Sequence, residues 1–172
     1  FGPPGLDVGS LFSGFVLAFV YHQLGLRTPD LHLGREMALT DASGDGGVQS
    51  GLLDALRTIW ERYEEVLLEE GVSTQQVRRI AEDAVGFAMM EVLRTALGFA
   101  GARDPSRKIN DPAALKRYQA IAVSIVRHCL LRRNVGGMSV LFEQLEMQGQ
   151  AAEGWRLANE RSKAQEQRAK HE

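Results

Sequence analysis

Residues 7–24 read DVGSLFSGFVLAFVYHQL and carry the strongest structural signal in this chain. Apolar side chains from Val8 to Leu24 fall on nearly every side of a helical projection, a pattern typical of a helix in a protein core. Asp7 stands where the helix N-cap belongs. A membrane span needs about 18 or more uninterrupted apolar residues, whereas Ser10 and Ser13 divide this run. We therefore predict a buried helix.

The middle of the chain predicts two further helices with clear ends. An apolar stripe at three- and four-residue steps predicts a helix over Gly51–Glu70 that ends at Gly71. Ser73 and Gln76 have the spacing of a capping box, in which each residue satisfies a backbone amide of the other. This box begins the longest predicted helix, about Thr74–Phe99. Its second half is apolar over a wide arc and should lie centrally.

The last third of the chain predicts two more helices. An N-cap aspartate followed by proline at the first helical position places the start of a fourth helix at Asp111–Pro112. Its predicted buried face consists of Leu115, Tyr118, Ala122, Ile125 and Cys129. A short fifth helix, about Val140–Leu145, follows Gly136 and Gly137. Because no strand pattern occurs, we predict an all-α fold, a bundle of about five helices.

We divide the chain into a helical segment and a tail. Residues 1–147 contain the predicted helices, with a long Gly- and Ser-containing connection over 27–50. Residues 148–172 are polar and charged. The prediction for this tail is frayed helix or no fixed structure, because it offers little apolar surface to bury.

Charge and cysteine content narrow the classes of partner. Lys and Arg number 20 against 22 Asp and Glu, a net charge of -2. This balance gives no electrostatic reason to expect nucleic acid or a membrane as a partner. The single cysteine, Cys129, excludes an internal disulfide and favours a cytoplasmic location. It reads as a small buried hydrophobe, and the four scattered histidines predict no zinc site.

Two separate stretches resemble one enzyme family. Residues 1–9 read FGPPGLDVG and lead into the apolar helix, as F-Y-G-P-M-G-F-D-I-G does in methylthioribose kinases. Residues 97–103 read LGFAGAR at the end of the long helix and are similar to the L-G-F-x-x-A-K turn of that family. Between them, Ile59, Trp60 and Tyr63 match an aromatic-bearing helix. The resemblance covers roughly Phe1 to Leu145; each motif alone is weak, and the ordered set is moderately specific.

This resemblance implies the helical C-lobe portion of a protein-kinase-like fold, in the superfamily that includes aminoglycoside phosphotransferases. It implies a parent enzyme that phosphorylates methylthioribose in methionine salvage. Phe1 is not an initiator Met, and we expect a lobe and a catalytic loop ahead of it to bind ATP and Mg²⁺. The segment itself then holds no catalytic residue, metal ligand or cofactor. The implied partners are the missing lobe and a small sugar, with a homodimer as a further option.

The resemblance also assigns roles to three residues. Asp7 matches the D-x-G aspartate that braces the catalytic loop through its backbone; helix N-capping is the alternative, and the two roles are compatible. Arg107 and Arg103 match basic positions after the L-G-F turn that bind the substrate, where a guanidinium holds phosphoryl oxygens. Asp104 and Pro105 depart from the family's apolar residues, so a solvated basic loop is the alternative for this turn.

Several other patterns leave alternatives open. Asp30–Gly34 echoes a catalytic D-L-H-x-G string but follows the apolar helix instead of preceding it, so we favour a non-catalytic interpretation. Asp41–Gly46 resembles the start of a calcium loop, but its last ligand position is Leu52 instead of Glu. Met89 and Met90 predict core filling, with a pocket for a thioether as the alternative. The alternative functions are a sibling kinase for another alcohol or an aminoglycoside, and a non-catalytic helical interaction module or degenerate kinase relic.

Overall fold

A computed structural model describes residues 2–24, 46–100, 107 and 109–169. These residues form five α-helices: α1 (Pro4–Gln23), α2 (Gly46–Glu69), α3 (Thr74–Ala96), α4 (Pro112–Gly136) and α5 (Met138–Ala169). No strand occurs within the described ranges. The predicted all-α bundle of about five helices is confirmed.

The core lies around α1 and α3. These two helices pack along each other, α4 packs on α3, and α2 and α5 pack on α1 and on each other. The largest fully buried side chains come from all five helices and include Phe12, Val16, Leu56, Val85, Met89, Tyr118, Ile125, Leu141 and Leu145. The edge of Trp60 meets Phe12 at a ring-centroid distance of 6.4 Å. Within the described chain, α1 alone is long and apolar enough to cross a membrane by length and composition, as core helices often are.

Two glycines allow α1 to lie unusually close to α3. A Cβ atom on Gly5 would lie 2.9 Å from the backbone nitrogen of Ala84. A Cβ atom on Gly9 would lie 2.6 Å from the Ala84 carbonyl oxygen and 2.8 Å from the Cβ of Phe87. Real Cβ atoms do not approach backbone this closely, so the crossing requires glycine at both positions. The spacing of four residues places both glycines on the same face of α1.

The predicted N-caps of α3 and α4 are confirmed. The backbone N–H of Gln76 donates to Ser73 Oγ at 3.3 Å, and the backbone N–H of Ser73 donates to Gln76 Oε1 at 3.1 Å. The Asp111 carboxylate accepts from the N–H groups of the second and third residues of α4 at 3.0 and 3.2 Å. Gly71 ends α2 with a φ of 82°. These signals are local in sequence, which is why they could be predicted without the fold.

Two predicted helix starts are wrong. α1 begins at Pro4 with Pro3 as its N-cap, and Asp7 lies inside the first turn instead of capping it. Proline suits the first helical position because its fixed φ is already helical. α2 begins at Gly46, five residues before the predicted Gly51. Glycine weakens a helix by only about 1 kcal/mol, so it does not forbid a helical start.

The predicted length of the fifth helix is also wrong. The fifth helix is not short: α5 extends over 32 residues and continues through the predicted tail as far as Ala169. Residues 150–169 are rich in Ala, Glu, Gln, Arg and Lys, which are good helix formers. The described side chains of the tail from Trp155 onward are exposed, and Trp155 is 70% exposed. Of the two predicted alternatives for the tail, helix or no fixed structure, the structure has the helix.

Candidate functional site

An open apolar groove lies beside the contact between the first turns of α1 and the last turns of α3. Its volume is about 400 Å³. The lining residues come from α1, from α3 and from the turn after it: Leu6, Ser10, Phe87, Met90, Glu91, Leu93, Arg94, Leu97 and Phe99. Met90 and Phe99 are 56% and 73% exposed, so the groove leaves large apolar side chains open to solvent. Exposed apolar surface of this kind often marks a ligand or partner site.

The close approach of α1 and α3 fixes the two walls of the groove. Gly9 contacts the backbone of α3 at Ala84 and Ala88. Leu6 and Ser10 lie one residue beyond Gly5 and Gly9, so they face the side of this contact and form the α1 wall. The α3 wall follows from residues at three- and four-residue steps along one helical face. The groove therefore depends on the glycine contact that brings the helices together.

A Schellman motif closes α3 and places Phe99 at the end of the groove. The backbone N–H of Phe99 donates to the Arg94 carbonyl at 2.9 Å, and the N–H of Gly98 donates to the Thr95 carbonyl at 3.0 Å. Gly98 adopts a φ of 85°, which favours glycine. α3 thus ends at Ala96, three residues before the predicted Phe99. The helix ends earlier than predicted because Gly98 leaves the helical conformation.

Arg94 is the cation of the groove and is held in place from two sides. Its Nε donates to Glu91 Oε2 at 2.9 Å, and its Nη2 donates to the other carboxylate oxygen of Glu91. Its Nη1 donates to the Phe99 carbonyl at 3.0 Å. The pKa of Arg94 is raised because it donates hydrogen bonds to Glu91 and lies beside its negative charge. The guanidinium therefore remains charged and oriented.

This arrangement suits a small ligand with an apolar part and an anionic or hydroxyl group. A guanidinium has five N–H donors, and Arg94 uses three of them on Glu91 and Phe99. In the part of the chain that the structure describes, two donors remain for a ligand oxygen. The apolar walls would bury the rest of the ligand, and a few placed polar groups would orient it.

The predicted site residues that the structure describes, Asp7 and Arg107, do not line this groove. Asp7 is exposed in the first turn of α1, and it follows Leu6 without lining the groove itself. None of the described residues bonds to its carboxylate. Arg107 is exposed on the connection before α4, outside the groove lining. Arg103 lies outside the described residues, and its predicted role stays a prediction.

The sequence patterns considered for other chemistry have three outcomes. Asp30–Gly34 and Asp41–Asp45 lie outside the described residues. Across the described ranges, no three His, Cys, Asp or Glu side chains lie close enough together to hold a metal ion. Cys129 is fully buried, and burial raises the pKa of its thiol to about 12. A neutral buried thiol is a poor nucleophile, so the predicted role of a small hydrophobe is confirmed.

Sequence reasoning missed the polar pair of the groove and one of its apolar residues. Glu91 and Arg94 lie three residues apart on α3, a spacing that predicts an ion pair but not its position in a groove. Met89 fills the core as predicted, whereas Met90 is exposed and the prediction of core filling is wrong for it. The sequence carried one signal for the exposure of Met90, because the apolar arc of the second half of α3 is wider than the face that is buried.

Three of the nine lining residues come from the two segments compared above with methylthioribose kinases. Leu6 belongs to the first segment, and Leu97 and Phe99 belong to the second. Comparison of the chain with protein-family models, with curated protein sequences and with solved structures finds no match.

Proposed function

We propose that this chain is the helical part of an ATP-dependent small-molecule kinase, similar to methylthioribose kinases, and that the α1–α3 groove forms one wall of its phosphoacceptor pocket. One observation carries the proposal. Leu6 comes from the family-like segment at residues 1–9, Leu97 and Phe99 come from the one at 97–103, and all three line the same groove. These two segments lie far apart in the sequence but line the same surface, which supports a shared site.

The residues of the groove would bind and orient the acceptor. Its apolar walls would hold the methylthio group of methylthioribose, and Met90 supplies a polarizable thioether contact. The two free N–H donors of Arg94 would bind a sugar hydroxyl or the phosphoryl group after transfer. Asp7, exposed beside the groove, would brace the catalytic loop of the other lobe.

The chemistry itself would belong to residues outside this chain. In the proposed reaction, the acceptor hydroxyl oxygen forms a bond to the γ-phosphorus of ATP, the bond from that phosphorus to the bridging oxygen breaks, and ADP leaves. The hydroxyl proton passes to a base in the other lobe, where Mg²⁺ offsets the charge of the phosphates. The described residues contribute binding and orientation.

The test is ADP release by the protein expressed from its complete reading frame. With ATP and Mg²⁺ present, addition of methylthioribose should increase ADP release. Arg94→Gln should lower kcat/KM by about 10- to 100-fold, the cost of one or two charge-assisted hydrogen bonds. Other alcohols and an aminoglycoside, tested in parallel, would separate methylthioribose kinase from a sibling kinase.

Arg78→Gln is the matched control. Arg78 also lies on α3, pairs with a glutamate one turn away and donates to a backbone carbonyl, that of Asn134 at 3.0 Å. It lies outside the groove lining, so its loss should leave kcat/KM within about twofold of wild type. Equal losses of kcat/KM in both variants would contradict a role of the groove in acceptor binding. ADP release that no acceptor stimulates would contradict the kinase proposal and leave the non-catalytic interaction module.

A further inference from the structure

Two helices of this chain each carry an excess of one sign of charge, although the net charge is only -2. α4 contains five Lys and Arg residues and no Asp or Glu. These cations are Lys116, Arg117, Arg127, Arg132 and Arg133. None of them forms an ion pair with another residue in the described part of the chain. α4 therefore carries five positive charges that no ion pair among the described residues neutralises.

The outer face of α4 combines this charge with exposed apolar side chains. Val123, Leu131 and Val135 are exposed, and Leu131 reaches 73% exposure. Together with Arg127 they occupy positions four residues apart, which lie along one face of a helix. Beside this row is a groove of about 630 Å³. It is lined by Ala120, Val123, Ser124, Arg127, His128, Leu131, Arg132 and Gln144.

The second half of α2 and the residue after it have the opposite charge. Residues 61–70 read ERYEEVLLEE, with five Glu and one Arg. Glu61, Glu65 and Glu69 are exposed on one row at four-residue spacing. Glu65 pairs with Arg62, whereas Glu61 and Glu69 form no ion pair with a described residue. Leu68, which is 44% exposed, lies next to this row. An apolar residue flanked by carboxylates complements the apolar and cationic row of α4.

The opposite charges of α2 and α4 do not pair with each other within one molecule. α2 packs on α1 and α5, whereas α4 packs on α3 and α5. We infer that the outer face of α4 docks on the acidic second half of α2 in a second copy of this chain. Opposite potentials across such an interface steer encounter and fix its register. Because the two faces differ, the contact is head-to-tail and extends beyond two copies unless the rotation closes a ring.

Other occupants fit the outer face of α4 less well. Nucleic acid binding without sequence readout uses aromatic side chains for stacking, and the only Tyr, Phe or Trp of α4 is Tyr118, which is fully buried. A helix bound at a membrane interface needs a broad face of large apolar residues such as Trp, Phe and Leu, and Leu131 is the only one of these three types that is exposed on α4. Two α4 faces in symmetric contact would oppose like charges.

A charge-swap experiment tests the inference. Sedimentation velocity over a concentration series should show reversible self-association that weakens between about 50 mM and about 500 mM salt, because salt screens exposed charges. Arg127→Glu/Arg132→Glu should raise the dissociation constant at least about tenfold, and so should Glu61→Lys/Glu69→Lys. An equimolar mixture of the two double variants should associate again, since each now offers the charge that the other lacks.

Two controls separate docking from general charge effects. Asp54→Lys reverses an acidic charge on the first half of α2, and Arg79→Glu reverses a basic charge on α3. Both positions are exposed. Both variants should associate like wild type. Circular dichroism verifies that every variant folds. A mixture of the double variants that stays dissociated would overturn the inference. So would a wild-type chain that remains monomeric while binding vesicles of equal parts phosphatidylcholine and phosphatidylserine.

Discussion

At the scale of single residues, Gly9 determines how closely α1 approaches α3. We predict that Gly9→Ala destabilises the fold by about 3 kcal/mol, because the added methyl group meets backbone that cannot move aside. Chemical denaturation measures the loss. Gly14→Ala is the matched control in the same helix, since a Cβ there meets nothing within 4 Å. Removing its helical glycine should stabilise by about 0.5–1 kcal/mol. Similar effects of both substitutions would contradict the close crossing.

Cys129 gives the fold a dependence on alkaline pH. Its thiol pKa is raised to about 12 by burial, from an ordinary value of 9.0. The thiol is neutral in both states below the ordinary value. Above it the unfolded chain ionises while the folded chain does not, so stability falls as pH rises towards 12. We predict a loss of about 1.4 kcal/mol from this group between pH 7 and pH 10.

The measurement is the free energy of unfolding of wild type and of Cys129→Ala at both pH values. Other groups also titrate over this range, so the informative quantity is the difference between the two pH dependences. Alanine leaves a small cavity, but that cost does not change with pH. Parallel pH dependences in the two proteins would show that the thiol ionises normally in the folded state.

At the scale of elements, local signals were predictable and helix lengths were not. The capping box at Ser73, the cap at Asp111 and the stop at Gly71 depend on neighbours a few residues away, and all three were predicted correctly. The extension of α5 to Ala169 depends on many weak propensities that add along the chain. The groove could not be predicted from the sequence, since it depends on how the fold places Leu6 and Phe99 along the same surface.

The second half of α5 should contribute little to stability. Every side chain that the structure describes from Trp155 to Arg168 is exposed. We predict that deletion of residues 155–172 changes the free energy of unfolding by less than about 0.5 kcal/mol. Leu145→Ala, in the buried first half of α5, should cost about 2–5 kcal/mol. A large loss on deletion would mean that the second half of α5 packs against the rest of the chain.

At the scale of the whole molecule, the α1–α3 groove and the charged outer faces of α4 and α2 lie in different places. The groove between α1 and α3 is mainly apolar with one oriented cation, whereas the outer faces of α4 and α2 carry opposite charges. A bundle that needed only to fold would gain nothing from leaving Phe99 and Leu131 exposed. This separation supports two independent roles: acceptor binding at the groove and docking at the charged faces.

Amide hydrogen exchange of the protein expressed from its complete reading frame, with and without methylthioribose and ADP, tests the central claim most directly. Binding in the groove should slow exchange in residues 6–10 and 87–99, because ordering of a site reduces its local opening. Arg94→Gln should weaken this protection, and Arg78→Gln should preserve it. Protection confined to α4, or an unchanged exchange pattern at saturating ligand, would contradict the assignment of the groove as the acceptor site.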